Sequence, residues 1–284
     1  MFPTPLQKRS PRARAIYRLM VSTSLLVWLL PLFAIALTSA RSIDDLSRGN
    51  YWGWPTELRI VQNYTAVFTS SPMGRYLLNS VVITLPAVAG ALAVSTMAGF
   101  ALARYRFRGN ILLFALFIAG NFVPFQVLMI PVRDLFVHVI PLYDTVWGLM
   151  LFHIAFQTGF CTLFMRNFIR ELPDALVEAA RIEGVTELRI FWYVILPLVR
   201  PALAALAVLE FTFIWNDYFW ALVLVQGDAA RPVTSGLQAL SGQWIASWQL
   251  MSAGALIAAA PSVVMFFLMQ RHFIAGLTLG AVKE

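Results

Sequence analysis

Two carboxylates, Glu210 and Asp217, sit in one long apolar run that holds no other acid. They are two helical turns apart, so on a helix they share a face at a separation of about 10 Å. An ionisable group inside an apolar span is a functional candidate by default, because an unpaired charge there is costly. Two readings stand. The face lines a path for a polar solute or a proton, or both groups hydrogen-bond neighbouring helices and fix packing. Around Asp217 stand Trp215, Asn216, Tyr218 and Trp220. A polar solute is bound where hydrogen-bonding groups and flat apolar faces gather in one place, so Trp215, Asn216 and Asp217 join Glu210 as candidate path residues. Asn121 and Gln126 in a third run, and His153 and Gln157 in a fourth, are further polar candidates. His153 and Gln157 are four residues apart and share a face. Each of these also reads as a helix–helix hydrogen bond.

Catalytic chemistry has no support. The chain has two lysines, Lys8 and Lys283, and neither lies in a phosphate-cradling G-x-x-x-x-G-K-[ST] motif. Its three histidines, His138, His153 and His272, form no H-E-x-x-H, and there is no G-x-S-x-G nucleophile turn. No cluster has metal-ligand spacing. The single cysteine, Cys161, excludes an internal disulfide and reads as a small apolar residue within a helix. The expectation is therefore a protein that is not an enzyme, with no metal and no cofactor of its own.

The elements that must position these residues are membrane helices. Of 284 residues, 60% are hydrophobic and 12% charged, against roughly 25% charged in soluble domains. The bases lie between apolar runs rather than on one soluble face, which points away from nucleic acid. Six runs, at about 16–37, 77–103, 111–130, 142–165, 196–225 and 250–270, are each long enough to cross about 30 Å of hydrocarbon. They lack the alternation of a barrel strand, so helices are expected. Pro124 and Pro131 are placed to break or kink the third. Gly90, Ala91, Ser95, Ala98 and Gly99 favour close packing of the second. The first run also resembles a signal peptide, with bases before it and Thr38-Ser39-Ala40 after it. Its length exceeds a signal core, so an uncleaved helix is expected.

Orientation follows the basic residues. With the N-terminus in the cytoplasm, inside segments hold 15 Lys and Arg and outside loops hold six. Both termini are thus expected in the cytoplasm. The first outer loop carries Tyr51, Trp52 and Trp54, read as interfacial anchors or loop packing, and Asn63-Tyr64-Thr65 matches a short glycosylation sequon.

The inner segment 166–195 does not behave as a tether. The five arginines from Arg166 to Arg200 are matched by Glu171, Asp174, Glu178, Glu183 and Glu187. Pro173 suits a helix start, Asp174 and Arg181 match the helix dipole, and Gly184 suits a left-handed helix end. Leu172, Leu176, Ala179 and Ala180 line one face. Thr186 is placed to cap a second helix running to Pro197. Two readings remain for this pair: resting on lipid headgroups, or docking to protein. The mixed-sign polar face and the Ala179-Ala180 pair favour protein.

The run Glu178-Ala179-Ala180-Arg181-Ile182-Glu183-Gly184, followed by Phe191 and Leu196-Pro197, resembles the EAA loop of ABC-importer permeases. Glu183 stands where Asp is commoner. Asn63-Tyr64 with Asn79-Ser80, Trp215-Asn216-Asp217, Gln270-Arg271-His272-Phe273, Gly276-Leu277-Thr278 and Gly280-Ala281-Val282-Lys283 are similar to the smaller permease of maltose-type carbohydrate importers. The resemblance implies an all-α type I transmembrane fold: six helices with a coupling loop between the fourth and fifth, in a bacterial inner membrane. It implies that Glu178, Ala179, Ala180, Glu183 and Gly184 couple to an ATPase. It further implies a second homologous permease chain, two ATP-binding-cassette ATPase subunits that hold ATP and Mg²⁺, and an external sugar-binding protein. The competing readings are an ion-coupled secondary transporter using Glu210 and Asp217, an intramembrane enzyme, and an assembly protein. Secondary transporters often carry internal repeats, and none is evident here.

Overall fold

The computed structural model describes residues 10–240 and 247–279, with residue 239 and 271–279 by backbone alone. Lys8 and the closing Gly280-Ala281-Val282-Lys283 lie outside the described residues. So do the side chains of Arg271, His272, Phe273, Gly276, Leu277 and Thr278. Every regular element among the described residues is helical. The chain divides into two units, 1–71 with 237–257 and 72–236 with 258–284.

In the first unit, α1 (Pro11–Ser39) opens with Ser10, whose hydroxyl accepts the Ala13 N–H at 3.3 Å, and with proline at the first helical position. Its side chains, Leu26 and Trp28 among them, are exposed over most of its length, until the last turn. Beyond it, α2 (Ile43–Ser47) and α3 (Ile60–Ser70) belong to a knitted loop. The fully buried Arg41 guanidinium donates to the carbonyls of Asn50 and Gly53. Asp45 accepts from Thr56 Oγ1 at 2.8 Å and Thr56 N–H at 2.9 Å. The Thr56 hydroxyl bond outweighs burial and holds that carboxyl below its ordinary range. Asn63 donates to the carbonyls of Ser39 and Arg41 at 2.9 and 2.8 Å. The sequon reading is thereby corrected: this amide is buried and already used. Tyr51, Trp52 and Trp54 are exposed, so they do not pack the loop.

The second unit centres on α4 (Met73–Arg104) and α7 (Val146–Arg170). The two run side by side in the same direction, because small residues admit close backbone approach. A Cβ on Gly90 would meet Ile154 Cδ1 at 2.8 Å, and one on Gly99 would meet the Arg166 backbone nitrogen at 2.9 Å. Between them α5 (Asn110–Phe122) ends before Pro124, and the axis then turns by 94° into a second limb, Phe125–Val139, that includes α6 (Met129–Asp134). Proline pushes the preceding Val123 to extended backbone, which stops the helix. The third run is therefore broken at Pro124, the first of the two prolines singled out for it, whereas Pro131 lies inside α6 without ending it.

The region after α7 departs further from expectation. After α8 (Asp174–Ile182), α9 (Glu187–Ile190) does not form a separate helix ending at Pro197. It continues through a wide π turn, Phe191–Ile195, into α10 (Leu196–Trp215). The wide turn lies just before Pro197, which lacks the N–H that an ordinary helical turn would give to the Tyr193 carbonyl. The fifth run then breaks at Asn216 and resumes as α11 (Phe219–Leu224), followed by α12 (Val233–Gly236). The last helix, α13 (Trp248–Leu279), extends the sixth run at both ends.

Candidate functional site

The helix breaks and a bundle of aromatic side chains make one cavity of about 530 Å³ within the second unit. Asn121 and Phe125 reach it from the broken third span. From α7 come His153, Phe156, Gln157 and Phe160; from α10, Glu210, Phe213 and Asn216. Asp217, Tyr218, Phe219 and Trp220 complete it from the break onward.

Asp217 explains that break. Its carboxylate accepts the N–H groups of Trp220 and Ala221 at 3.2 and 3.0 Å, so it caps α11 as a short acidic side chain caps any helix start. Asn216 Nδ2 donates back to the Thr212 carbonyl at 2.8 Å, and Thr234 Oγ1 donates to the Asp217 carbonyl at 2.5 Å. His153 Nε2 lies 3.6 Å from Asp217 Oδ2, on the facing helix. Trp220 closes the wall against Phe152, with ring centroids 3.9 Å apart, and Phe125 meets Phe219 edge-on at 5.2 Å.

Glu210 is fully buried on this wall. Neither carboxylate oxygen has a well-formed hydrogen bond, although the Cys161 thiol lies close enough to interact. Burying a charged carboxylate without well-formed donors costs several kcal/mol.

Five of the six path candidates thus converge: Asn121, Gln157, Glu210, Asn216 and Asp217. Trp215 does not. It is buried, stacks on Phe211 at 5.5 Å, and donates its indole N–H to the Ala258 carbonyl at 2.9 Å, tying α10 to α13. Gln126 also stays off the wall. The aromatic lining of Phe156, Phe213 and Phe219 was missed by sequence reasoning, because phenylalanine is too common here to stand out, with 22 in the chain.

The second arrangement lies at the 166–195 segment. Gly184 has φ +75°. The Val185 N–H bonds the Ala180 carbonyl and the Gly184 N–H bonds the Arg181 carbonyl, both at 3.0 Å, which together form a Schellman ending. Val177 is buried among Ile169, Ile190 and Phe191, with Leu172 and Ala180 packed alongside. The single-face reading is corrected here: Leu172 and Ala180 turn toward the body of the unit, while Leu176, Glu178, Ala179, Ile182, Glu183 and Gly184 are exposed. Ile182 is 88% exposed.

Two residues not singled out as coupling candidates fasten this hairpin to α4. Arg104 donates to the carbonyls of Ile169 and Leu172, each at 2.7 Å, and pairs with Asp174. Tyr105 donates its hydroxyl to Glu187 at 2.5 Å, and Arg181 Nε reaches the same carboxylate at 2.7 Å. Burial, then the Glu187 hydrogen bond, push the Tyr105 hydroxyl up to about 12, so it stays protonated and donating.

A helical membrane chain with broken apolar runs, an open, largely apolar cavity edged by polar side chains and a surface hairpin has the parts of a transport component, and its fold is that of a type I importer permease. Residues 91–278 match the model of the binding-protein-dependent transport system inner membrane component family, and the chain belongs to that family. It is 36% identical over 270 residues to an osmoprotective compounds uptake permease protein of Synechocystis sp., covering 93% of this chain and 90% of that protein. It is 33% identical over 255 residues to an arabinooligosaccharides transport system permease protein of Halalkalibacterium halodurans, covering 89% and 90%. Its fold is similar to a chain of a bacterial ABC transporter involved in import of the acidic polysaccharide alginate. The TM-score is 0.81 at 22% identity, over 95% of this chain and all of that one. The chain is accordingly a multi-pass inner-membrane transporter component and not an enzyme. The reading in which Glu210 and Asp217 drive an ion-coupled secondary transporter is set aside by this membership.

Proposed function

We propose that this permease carries a carbohydrate, and that the cavity between the broken spans is its share of the translocation path. The observation that carries the proposal is the cavity's composition: aromatic faces of Phe156, Phe213 and Phe219 beside the polar ends of Asn121, Gln157 and Asn216. Sugar rings stack on such faces, and their hydroxyls pair with the side-chain amides at the cavity edge. The carbohydrate names of the relatives support the same class.

In this reading the chain pairs with a second, homologous permease and two ATPase subunits. ATP and Mg²⁺ are held by those subunits, and an external solute-binding protein delivers the sugar. Both termini face the cytoplasm, with Glu178, Ala179, Ala180, Glu183 and Gly184 on the coupling surface. Alternating access is a two-state switch, and the Arg104 and Tyr105 fastenings carry hairpin motion into α4. The test is copurification from native membrane, with mass spectrometry of subunits and retained ligand. An ATPase and a bound oligosaccharide are expected. A complex without an ATPase rejects the proposal, as does uptake that collapses with the proton gradient while ATP is held constant.

A further inference from the structure

A second concavity, of about 1050 Å³, opens where α4 ends, α5 begins and α7 ends. Arg104, Arg106, Arg108, Arg166 and Arg170 line it, and Asp174 is the single acid. Asp174 is already committed to Arg104. Among the described residues, Arg106, Arg108, Arg166 and Arg170 have no ion pair. Arg166 is part-buried with its guanidinium 3.6 Å from the Phe114 ring centroid, and its Nε is buried without a hydrogen-bond partner. Four like charges facing one hollow repel one another.

The turn that presents them is built rather than loose. Asn110 Nδ2 donates to the carbonyls of Leu102 and Tyr105 at 3.2 and 2.9 Å, and Gly109 takes φ +91°. Exposed Phe107, Ile111 and Leu112 flank the arginines on the same turn. A free anion needs only the charges. An anion attached to acyl chains also uses the apolar rim, and arginine forks match phosphate oxygens.

We propose that this hollow binds the phosphate headgroup of an anionic phospholipid, held by Arg106, Arg108, Arg166 and Arg170 with the acyl chains along Phe107 and Ile111. The bound lipid sits beside the Arg104–Asp174 pair, at the root of the coupling hairpin. The site stands apart from the carbohydrate reading, because its test measures lipid binding whatever the chain transports.

The full-length chain, purified with its copurifying subunits, is titrated with a fluorescent short-chain phosphatidylglycerol in a neutral detergent. The phosphatidylcholine analogue serves as the comparison. R106Q/R108Q/R170Q removes three exposed charges and is expected to weaken phosphatidylglycerol binding on the order of a hundredfold. R106K/R108K/R170K keeps the charge and is expected to keep most of the binding. R12Q/R14Q/R18Q removes equal charge from the first turns of α1 and is expected to leave it unchanged. The proposal is overturned by equal affinity for both lipids, or by equal loss in the two glutamine triples. Displacement of the lipid by millimolar inorganic phosphate or pyrophosphate would make this a free-anion site and likewise overturn it. So would a purified complex in which an ATPase covers the hollow and lipid does not bind.

Discussion

Gly184→Val isolates the torsional strain of the hairpin. Gly184 sits at φ +75°, and a Cβ there would meet nothing within 4 Å. No clash contributes, so the cost is that of an L residue in the left-handed region, about 1–2 kcal/mol. A β-branched side chain falls at the upper end or beyond. The Schellman bonds of Val185 to Ala180 and of Gly184 to Arg181 are what that strain opens. A loss of 1–2 kcal/mol raises the open population roughly 5- to 30-fold. Hydrogen exchange over residues 173–190 reads this directly: exchange is expected to accelerate by that factor in Gly184→Val. Gly184→Asn should stay near wild type, because asparagine tolerates the left-handed region. ATP hydrolysed per solute carried should rise in the valine variant alone. Wild-type exchange in Gly184→Val, or equal acceleration in Gly184→Asn, refutes the reasoning.

Other expectations concern the fastenings, the cavity and the packing. Tyr105→Phe keeps the ring and removes the donor to Glu187, a charge-assisted bond worth about 1.5–3 kcal/mol. Transport per ATP should fall while ATPase copurification persists, and unchanged coupling would remove Tyr105 from the path of motion. Asp217→Ala unseats the cap of α11 and should lower solute uptake with ATPase docking intact; loss of docking would make the residue purely structural. Gly99→Ala should lower the melting temperature in detergent more than Gly90→Ala. The first meets backbone at 2.9 Å, the second only the movable end of Ile154. Equal shifts would contradict the close packing of α4 on α7.

Much of the architecture was legible because hydrocarbon leaves few options. Runs of apolar residues long enough to span must be helices, and the third bends at Pro124, one of its two prolines, while Pro131 is taken up within a helix. The Schellman ending at Gly184 was legible for the same local reason, since glycine after an amphipathic turn has one common use. Illegible were features decided by distant partners. The fifth run looked continuous to residue 225, because nothing local says that Asp217 will prefer the N–H groups of α11 to an unbroken helix. Pro197 looked like a terminus, and the π turn before it absorbs the proline instead. α8 has apolar residues on more than one side. Only its burial against Ile169 and Phe191 decides that Val177 turns in and Leu176 turns out. Arg104 and Tyr105 reach partners 65 to 82 residues away, a pairing no spacing rule encodes. For the cavity, the polar residues announced themselves by standing in apolar runs, whereas its phenylalanines did not.

Coupling requires that the exposed face of α8 be gripped by another protein. A photo-crosslinking residue placed at Ala179, in the intact transporter in native membrane, tests this most directly. The account expects a covalent adduct with an ATPase subunit, lost when that subunit is stripped away. Adducts with phospholipid alone would contradict it.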